Sequence, residues 1–410
     1  MFIGMRRGGR NIYALDITDK SDPPKLMWTI KGGETDGENN FTRLGQTWSA
    51  PIPTDVDESY CPYAWCKVVM FAGGYDPIAD GENKFNPIKN VTMGNAIYMV
   101  DPDTGELLWW AGRDPMADLV LKDMKYAIPS DLLLQDTTND GLTDRIYVGD
   151  IAGQLWRINI NKNTDEGTVG GVMAKLGEIS SSGPNRRSFF YPPALARINS
   201  INILTAVTGA RPNPLAPGTS GGGGYYARDQ FYAILDPTKE FDFIRYITTE
   251  NLANVTNWGK DEKINLQEPG NKKGWYFDLQ ESDDSWIGEK GLGRPLVLGE
   301  NVFFITYVPP SSSTAKNSDG SCGSFNPGSS RFYAINLLDG GPAFKKKDNE
   351  DSYDTKERGE DRNDRSLEVS TLSFDPIVMY TSNMEEALFA GPELIMINPV
   401  PPTRVFWMQK

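Results

Sequence analysis

Five segments of the chain repeat one pattern, a short apolar stretch that contains tyrosine and is usually followed by a turn with aspartate. In the first three segments a second apolar stretch with tryptophan follows the turn, which predicts a β-hairpin with an aromatic anchor. A hairpin alone cannot bury such an anchor, so neighbouring strands must cover it. The segments begin at Asn11, Asn95, Asp144, Asp229 and Ser330, and the tryptophans are Trp28, Trp109 with Trp110, and Trp156.

Further short strands, bounded by glycine and proline, lie between these segments, such as TWSAPIP and KVVMFAGGYD ahead of the second. The predicted unit is four short antiparallel strands, of which the third and fourth carry the tyrosine and the tryptophan. Repetition of such a unit is typical of β-propeller blades. Few segments have a helical period, and 41 glycines and 28 prolines interrupt them, so the predicted fold class is all-β.

The intervals between the repeats are uneven, which predicts long loops inserted into the propeller. We expect one domain over 1–410, with exposed loops at 212–228, 309–329 and 345–365. The first of these is rich in glycine, the second in serine and glycine, and the third is a mixed-charge run with a single aromatic residue.

Composition excludes several classes of function. A formal net charge of −14 argues against nucleic acid and against an anionic membrane surface as partners. No run of about eighteen apolar residues occurs, so no membrane-spanning segment is predicted. The sequence contains no histidine, which removes the commonest general base, the commonest zinc ligand and every triad built on histidine. The absence of histidine therefore disfavours hydrolase and zinc-enzyme functions.

Three cysteines are present, and two of them, Cys61 and Cys66 in CPYAWC, are close in sequence. A local disulfide between them is the predicted arrangement in an oxidising compartment, and two free thiols in a turn are the alternative. Cys322 then stays unpaired or finds its partner outside this chain. Three cysteines without histidine cannot supply four zinc ligands.

The segment 136–144, DTTNDGLTD, is the strongest candidate site. Its side-chain oxygens recur at alternate positions, a backbone carbonyl falls at the seventh position, and Gly141 stands where a left-handed turn is needed. Calcium prefers such a set of about six to eight oxygen ligands. The predicted ligands are Asp136, Thr138, Asp140, the carbonyl of Leu142, and Asp144.

The segment differs from a complete EF-hand, which needs a bidentate glutamate at the twelfth position and a helix on each side. Tyr147 occupies the twelfth position here, within a strand-like run, so we expect a calcium site in which a loop leads into a strand. A metal-free turn rich in aspartate, asparagine and threonine is the alternative. Thr138 supplies a neutral hydroxyl, which predicts lower affinity or an intervening water.

Several distinctive stretches follow one another along the chain: RRGGRNIYALDIT, LGQTWSAPIP, VVMFAGGYD, GNAIYMVDPDTGELLW, the calcium loop with RIYVGDIAGQLWRINI, GWYFDL, GRPLVLGENVFFITYVP and the cysteine-bearing loop before SRFYAINLLDGG. Together they resemble the C-terminal propeller domain of the PilC/PilY family of type IV pilus biogenesis and tip-associated proteins. The resemblance covers most of the chain from Arg6 to Gly341. It implies a modified seven-bladed propeller, whose calcium loop falls on the five predicted ligands. In family members the RRGGR stretch lies inside the propeller, so we expect this propeller to be incomplete on its N-terminal side, with an upstream region or a second chain completing it.

The resemblance implies a calcium-binding, non-enzymatic propeller of a pilus tip or assembly factor. Such a protein would act outside the cytoplasm, at the pilus tip or bacterial surface, and would support pilus extension against retraction and surface adhesion. The implied partners are minor pilins or other pilus subunits, and a host or surface ligand. A generic secreted binding propeller with purely structural calcium is one alternative. A quinoprotein dehydrogenase-like enzyme is another, although the cysteines here are not adjacent and no haem-attachment motif occurs.

Overall fold

The computed structural model describes residues 1–33, 35–36, 39–61, 66–80, 91–160, 168–177, 187–215, 227–236, 246–258, 264–279, 287–310, 327–347, 352–369, 375–380, 386–390 and 393–397. The chain divides into two compact units. Unit 1 comprises Met1–Pro193 and Phe241–Thr248, and unit 2 comprises Ala194–Glu240 and Thr249–Lys410. Both units therefore use separate pieces of the sequence. The organisation of 1–410 as a single propeller domain stays a prediction.

In the described residues of unit 1, the strands form small sheets that are mostly antiparallel, and β9 pairs with β10 in parallel. The sheets have the orders β1-β2-β3, β10-β9-β8-β7-β6, β11-β12-β13-β14 and β4-β5. Their strands are β1 Phe2–Gly4, β2 Ile12–Asp16, β3 Lys25–Ile30, β4 Thr35–Asp36, β5 Asn39–Asn40, β6 Ile52–Val56, β7 Cys66–Ala72, β8 Ala96–Val100, β9 Leu107–Gly112, β10 Leu119–Val120, β11 Leu133–Gln135, β12 Arg145–Gly149, β13 Gln154–Asn159 and β14 Val169–Lys175. Short 3-10 helices span Arg6–Gly8, Glu58–Tyr60 and Pro77–Asp80.

Unit 2 has the sheets β15-β16-β17-β19-β18, β20-β22-β23-β26 with β21 also paired to β22, β24-β25, and β27-β28-β29. The strands are β15 Ala194–Ile198, β16 Ile201–Val207, β17 Gln230–Asp236, β18 Ala253–Asn254, β19 Gly274–Asp278, β20 Lys290–Gly291, β21 Leu296–Leu298, β22 Asn301–Val308, β23 Ser329–Asn336, β24 Lys345–Lys346, β25 Tyr353–Asp354, β26 Ser366–Val369, β27 Pro376–Tyr380, β28 Glu386–Ala390 and β29 Glu393–Ile397. Its 3-10 helices are Thr249–Asn251 and Arg362–Arg365. In the described residues of both units, no helix is long and apolar enough to cross a membrane.

The predicted hairpins of the first three repeats are present as β2–β3, β8–β9 and β12–β13. The fourth repeat differs, because the tyrosine strand β17 pairs with β19, which begins only at Gly274 and carries Trp275. Between β17 and β19 in sequence, Ile247 bridges Ala174 of β14 within unit 1. A strand's partner is thus set by packing and not by proximity in sequence.

Two anchor tryptophans make the same contact in different units. The Trp28 indole donates to the Pro102 carbonyl at 2.9 Å, and the Trp275 indole donates to the Leu337 carbonyl at 2.8 Å. Each acceptor lies in the turn that follows a tyrosine strand of the next repeat. Each turn contains a glycine with positive φ, Gly105 in the first and Gly340 in the second. A Cβ atom at Gly105 would lie 2.8 Å from the Trp28 ring, and one at Gly340 would lie 3.1 Å from the Trp275 ring. The tryptophan therefore joins one sheet to the turn of the next.

In the segment 345–365, predicted to be an exposed loop, most of the described residues are exposed or half-buried, and a few are buried. Strands β24 and β25 form a hairpin there, and Tyr353 is buried, with ring contacts to Phe332 and Phe344. Arg365 is also buried. The aromatic side chain of this charged segment packs into an apolar cluster. The average composition of the segment does not predict that contact. Residues 216–226 and 311–326, within the other two predicted loops, lie outside the described residues, and Cys322 is among them.

Candidate metal site

The candidate loop 136–144 connects β11 to β12, so two paired strands hold both of its ends. Gln135 pairs with Arg145 in the ladder, and the Asp144 amide donates to the Gln135 carbonyl at 3.0 Å. The Asp144 carbonyl in turn accepts from the Ile160 amide at 2.9 Å. The tip of the loop, from Thr138 to Gly141, is exposed to solvent.

Asp136 organises the first half of the loop. One carboxylate oxygen accepts from the amides of Thr138 and Asn139, at 3.1 Å and 2.6 Å, and from the Thr138 hydroxyl at 3.3 Å. The other oxygen accepts from the Gly141 amide at 2.8 Å. Asn139 and Gly141 have φ of 61° and 90°, so the backbone curls around this carboxylate. Burial acts to raise the pKa of Asp136, but the surrounding amides outweigh it and the pKa is lowered.

The other two carboxylates have separate hydrogen bonds. Asp140 accepts from the Leu142 amide at 2.9 Å. Asp144 accepts from the Thr137 hydroxyl at 2.7 Å and from the Thr137 amide at 3.1 Å. Thr137 is a residue that the sequence analysis missed, because a rule based on alternate positions assigns it no role. It fixes the orientation of the Asp144 carboxylate.

The structure brings Asp136 and Thr138 into direct contact but does not gather all predicted ligands around one point. Within the described ranges, no group of three or more histidine, cysteine, aspartate or glutamate side chains is close enough to hold a metal ion. The set of donors nonetheless fits calcium in chemistry. All five are oxygens, three of them carboxylates, and the remaining positions of a six- to eight-fold sphere are ones that water commonly fills.

A neighbouring hairpin, β6–β7, supports the end of the loop. The Thr143 amide donates to the Asp55 carbonyl at 2.8 Å, and the Thr143 and Thr54 hydroxyls are 2.7 Å apart. Cys61 and Cys66, the disulfide candidates of the sequence, form a disulfide in this hairpin, with Cα atoms 5.4 Å apart.

Tyr60, next to this disulfide, is a second link between the hairpin and β13. Its hydroxyl lies 2.5 Å from the Ile160 carbonyl, to which it donates, and 2.5 Å from the Thr168 hydroxyl. Burial raises the pKa of Tyr60 to about 12, so the phenol keeps its proton for this contact. Because the Ile160 amide binds Asp144, the loop and the disulfide hairpin share a short hydrogen-bonded path.

Asp150, in the turn between β12 and β13, is a buried acidic residue that the sequence analysis did not single out. Its carboxylate accepts from the Trp156 indole at 2.9 Å, from the Gln154 side chain at 2.7 Å, and from the amides of Ala152 and Gln154. Burial raises the pKa of Asp150 to about 6, although these hydrogen bonds oppose the shift. Its role is to anchor the turn and the tryptophan.

In sequence, the chain is similar to proteins named for type IV pilus biogenesis. It is 25% identical over 376 residues to a homologue of type IV pilus biogenesis factor PilY1 from Xylella fastidiosa, and the match covers 83% of this chain and 22% of the relative. It is 26% identical over 162 residues to PilY1 of Pseudomonas aeruginosa, a match that covers 38% of this chain and 11% of that protein. The chain thus corresponds to about a fifth of the first relative's length. No protein-family model matches the chain.

In fold, the chain is similar to the crystal structure of the C-terminal domain of Pseudomonas aeruginosa PilY1, with a TM-score of 0.65. The match covers 97% of this chain and 80% of that domain at 18% sequence identity. The prediction of an all-β fold of the propeller type is therefore confirmed. Sequence and fold together confirm the predicted resemblance of this chain to the PilY1 proteins.

Proposed function

We propose that this chain is the propeller part of a type IV pilus biogenesis factor. The observation that carries the proposal is the similarity to a PilY1 homologue across 83% of the chain. The chain would act outside the cytoplasm, at the pilus tip or bacterial surface, with minor pilins or other pilus subunits as partners. In this role it supports pilus extension against retraction and contributes to surface adhesion.

Binding, and not catalysis, is the proposed mode of action. The complete absence of histidine from the sequence removes the side chain that most often transfers protons in enzymes. The proposed ligand of the chain itself is calcium, bound by Asp136, Thr138, Asp140, the Leu142 carbonyl and Asp144. The left-handed backbone at Gly141 and the amides around Asp136 support this proposal, since they already curl the loop around its first carboxylate.

The proposed switch rests on the charges of this loop. Without a cation, the carboxylates of Asp136, Asp140 and Asp144 repel one another when they are drawn together. A bound divalent ion offsets that repulsion and orders the exposed loop tip. Pilus assembly would then respond to the ordered state of the loop surface.

Calcium titration by calorimetry tests the site. The wild-type protein is expected to bind one calcium ion per chain, and Asp140→Ala is expected to bind it at least about tenfold more weakly, because a carboxylate ligand is lost. Asp19→Ala is the matched control. Asp19 is also an exposed aspartate that caps its own turn, accepting from Ser21, but it is not a predicted ligand. Equal binding heats in wild type and Asp140→Ala would overturn the site assignment.

Pilus assembly tests the role of the protein separately. A strain without this gene is expected to show fewer surface pili, and the deficit is expected to disappear when retraction is also disabled. Normal numbers of pili in the deletion strain would contradict the pilus role. The calcium-switch hypothesis is wrong if the Asp140→Ala gene restores the same number of pili as the wild-type gene at every calcium concentration. The pilus role itself would still hold.

A further inference from the structure

A cavity of about 240 Å³ lies in unit 2, between the sheet that contains β19 and the sheet that contains β23 and β26. The 3-10 helix Arg362–Arg365 and strand β24 complete its wall. This volume is small for a drug-sized organic ligand, since such pockets usually measure several hundred Å³. It is large enough for a compact polar group with a few waters.

The floor of the cavity is a rigid polar array. Arg331 and Tyr333 alternate along β23, so both project from the same face of the strand. Both donate to Glu289, which is fully buried, through the Arg331 guanidinium and the Tyr333 hydroxyl, each at 2.8 Å. Beside them, the Arg365 guanidinium lies 4.8 Å from the Phe277 ring and donates to two backbone carbonyls, those of Val255 and Thr256. Two buried guanidinium groups are therefore held in fixed positions.

The rim adds two more cations, Lys346 and Arg362. The Arg362 guanidinium donates to the Asn257 side chain, which ties it to the edge of the cavity. In the part of the chain that the structure describes, the Lys346 ammonium has no hydrogen-bonding partner, since only its backbone amide is bound, to Asp364. A cation of this kind is available to a ligand.

Two carboxylates also line the cavity, so its charge is not uniform. Asp278 accepts from the Gln230 side chain, and Glu368 is exposed and faces Arg331 across the strand pair. Four cationic side chains and two carboxylates line the cavity, and the buried Glu289 offsets the charge of Arg331, so a small cationic excess remains in a chain whose net charge is −14. The nearby Asp364 carboxylate is occupied by the amides of Lys346, Glu360 and Asp361.

We propose that this cavity binds a compact oxyanion, either a phosphate-type anion or the carboxylate group of a larger molecule. Guanidinium groups suit the planar geometry of a carboxylate or the faces of a phosphate, and Arg331, Arg362 and Arg365 line the cavity. Lys346 adds an adaptable point charge at the rim. The site lies in unit 2, whereas the proposed calcium loop lies in unit 1, so the two proposals are independent.

Binding is tested by calorimetry and by thermal shift with inorganic phosphate, sulfate and acetate, each at constant ionic strength against chloride. We expect saturable binding of at least one of these probes to the wild-type protein. Binding of phosphate and sulfate alone identifies a phosphate-type site, and binding of acetate as well identifies a carboxylate site. At about 10 mM of a probe, even a weak site of millimolar Kd is mostly filled. If none of the probes binds at this concentration, the proposal is overturned.

Two neighbouring lysines give a matched pair of variants. Lys346→Gln is expected to weaken oxyanion binding at least about fivefold, and Lys346→Gln with Arg362→Gln at least about thirtyfold. Lys345→Gln is the control, because Lys345 is exposed, is paired with Glu357 and does not line the cavity. Unchanged melting temperatures in chloride show that the variants fold. If Lys345→Gln and Lys346→Gln lose the same oxyanion affinity, the proposed site is wrong, because the loss then comes from the general surface charge and not from the cavity.

Discussion

At the scale of single residues, Asp150 shows how a buried carboxylate acquires a pH-dependent effect on stability. It accepts four hydrogen bonds in a turn that solvent does not reach. Burial nevertheless raises its pKa from 3.8 to about 6. The folded protein therefore takes up a proton more readily than the unfolded chain. The stabilisation from protonated Asp150 is complete below about pH 4 and is lost as the pH rises through 6.

Asp150→Asn is expected to remove this pH dependence. Between pH 4 and pH 7, the free energy of unfolding of the wild-type protein should fall by about 3 kcal/mol relative to that of the variant, because a shift of about two pKa units corresponds to that energy. Urea denaturation at a series of pH values measures both curves. Parallel curves for the two proteins would show that Asp150 has no raised pKa.

The variant Gly141→Ala tests whether the candidate calcium loop needs a left-handed backbone at this position. A Cβ at Gly141 would meet no atom within 4 Å, so Gly141→Ala is strained only through its φ of 90°. Gly270→Ala is a matched control, since Gly270 has a φ of 61° and equally open surroundings. Both variants should lose about 1 kcal/mol of stability. Only Gly141→Ala should weaken calcium binding in calorimetry, and equal affinities in both variants would contradict the role of the left-handed turn.

At the scale of elements, the anchor tryptophans connect neighbouring sheets. Trp275→Phe removes the hydrogen bond to the Leu337 carbonyl and leaves that buried acceptor unsatisfied. We expect a loss of about 2–3 kcal/mol in the free energy of unfolding, measured by denaturant titration. Trp28→Phe should behave similarly, because it makes the same contact to Pro102.

Trp258→Phe is the control for the anchor variants. Trp258 is only partly buried and stacks against Arg358 at the surface, so its loss should destabilise the protein by less than about 1 kcal/mol. If all three variants lose the same stability, ring size and not the hydrogen bond to the neighbouring turn determines the effect.

At the scale of the whole molecule, the two units are not consecutive in sequence. The Ile247 amide donates to the Met173 carbonyl and the Ile247 carbonyl accepts from the Lys175 amide, although the residues on both sides of 241–248 belong to unit 2. Tyr246 adds a contact with the Lys175 ammonium, which lies 4.2 Å from its ring centre. Unit 1 therefore needs a segment that follows part of unit 2 in the chain.

Ile247→Ala is expected to weaken unit 1. Ile247 is buried, so its truncation should reduce stability by about 2–4 kcal/mol. Hydrogen exchange followed by mass spectrometry should show reduced protection in β14, whereas protection in β19 of unit 2 should stay unchanged. Reduced protection in β19 with β14 intact would contradict the assignment of this segment to unit 1.

The sequence predicted the strands that pair with their neighbours in the chain. The tyrosine and tryptophan hairpins follow from alternating apolar positions on both sides of a short turn, and the pairing of Cys61 with Cys66 follows from their proximity. The pairing of β17 with β19 could not be predicted, because no short turn joins these strands and register is decided by packing of the finished core. Spacing alone identified candidate calcium ligands but not Thr137, whose effect on Asp144 depends on how the backbone folds back.

The hydrogen-bonded path from the Cys61–Cys66 hairpin to Asp144 has a thermodynamic consequence. If opening the disulfide loosens Tyr60 and Thr143, it lowers the affinity of the proposed calcium loop. Linkage requires the reverse effect with the same free energy: a bound ion makes the disulfide harder to reduce. Formation of the disulfide and binding of the proposed ion would then reinforce each other, because each makes the loss of the other less favourable.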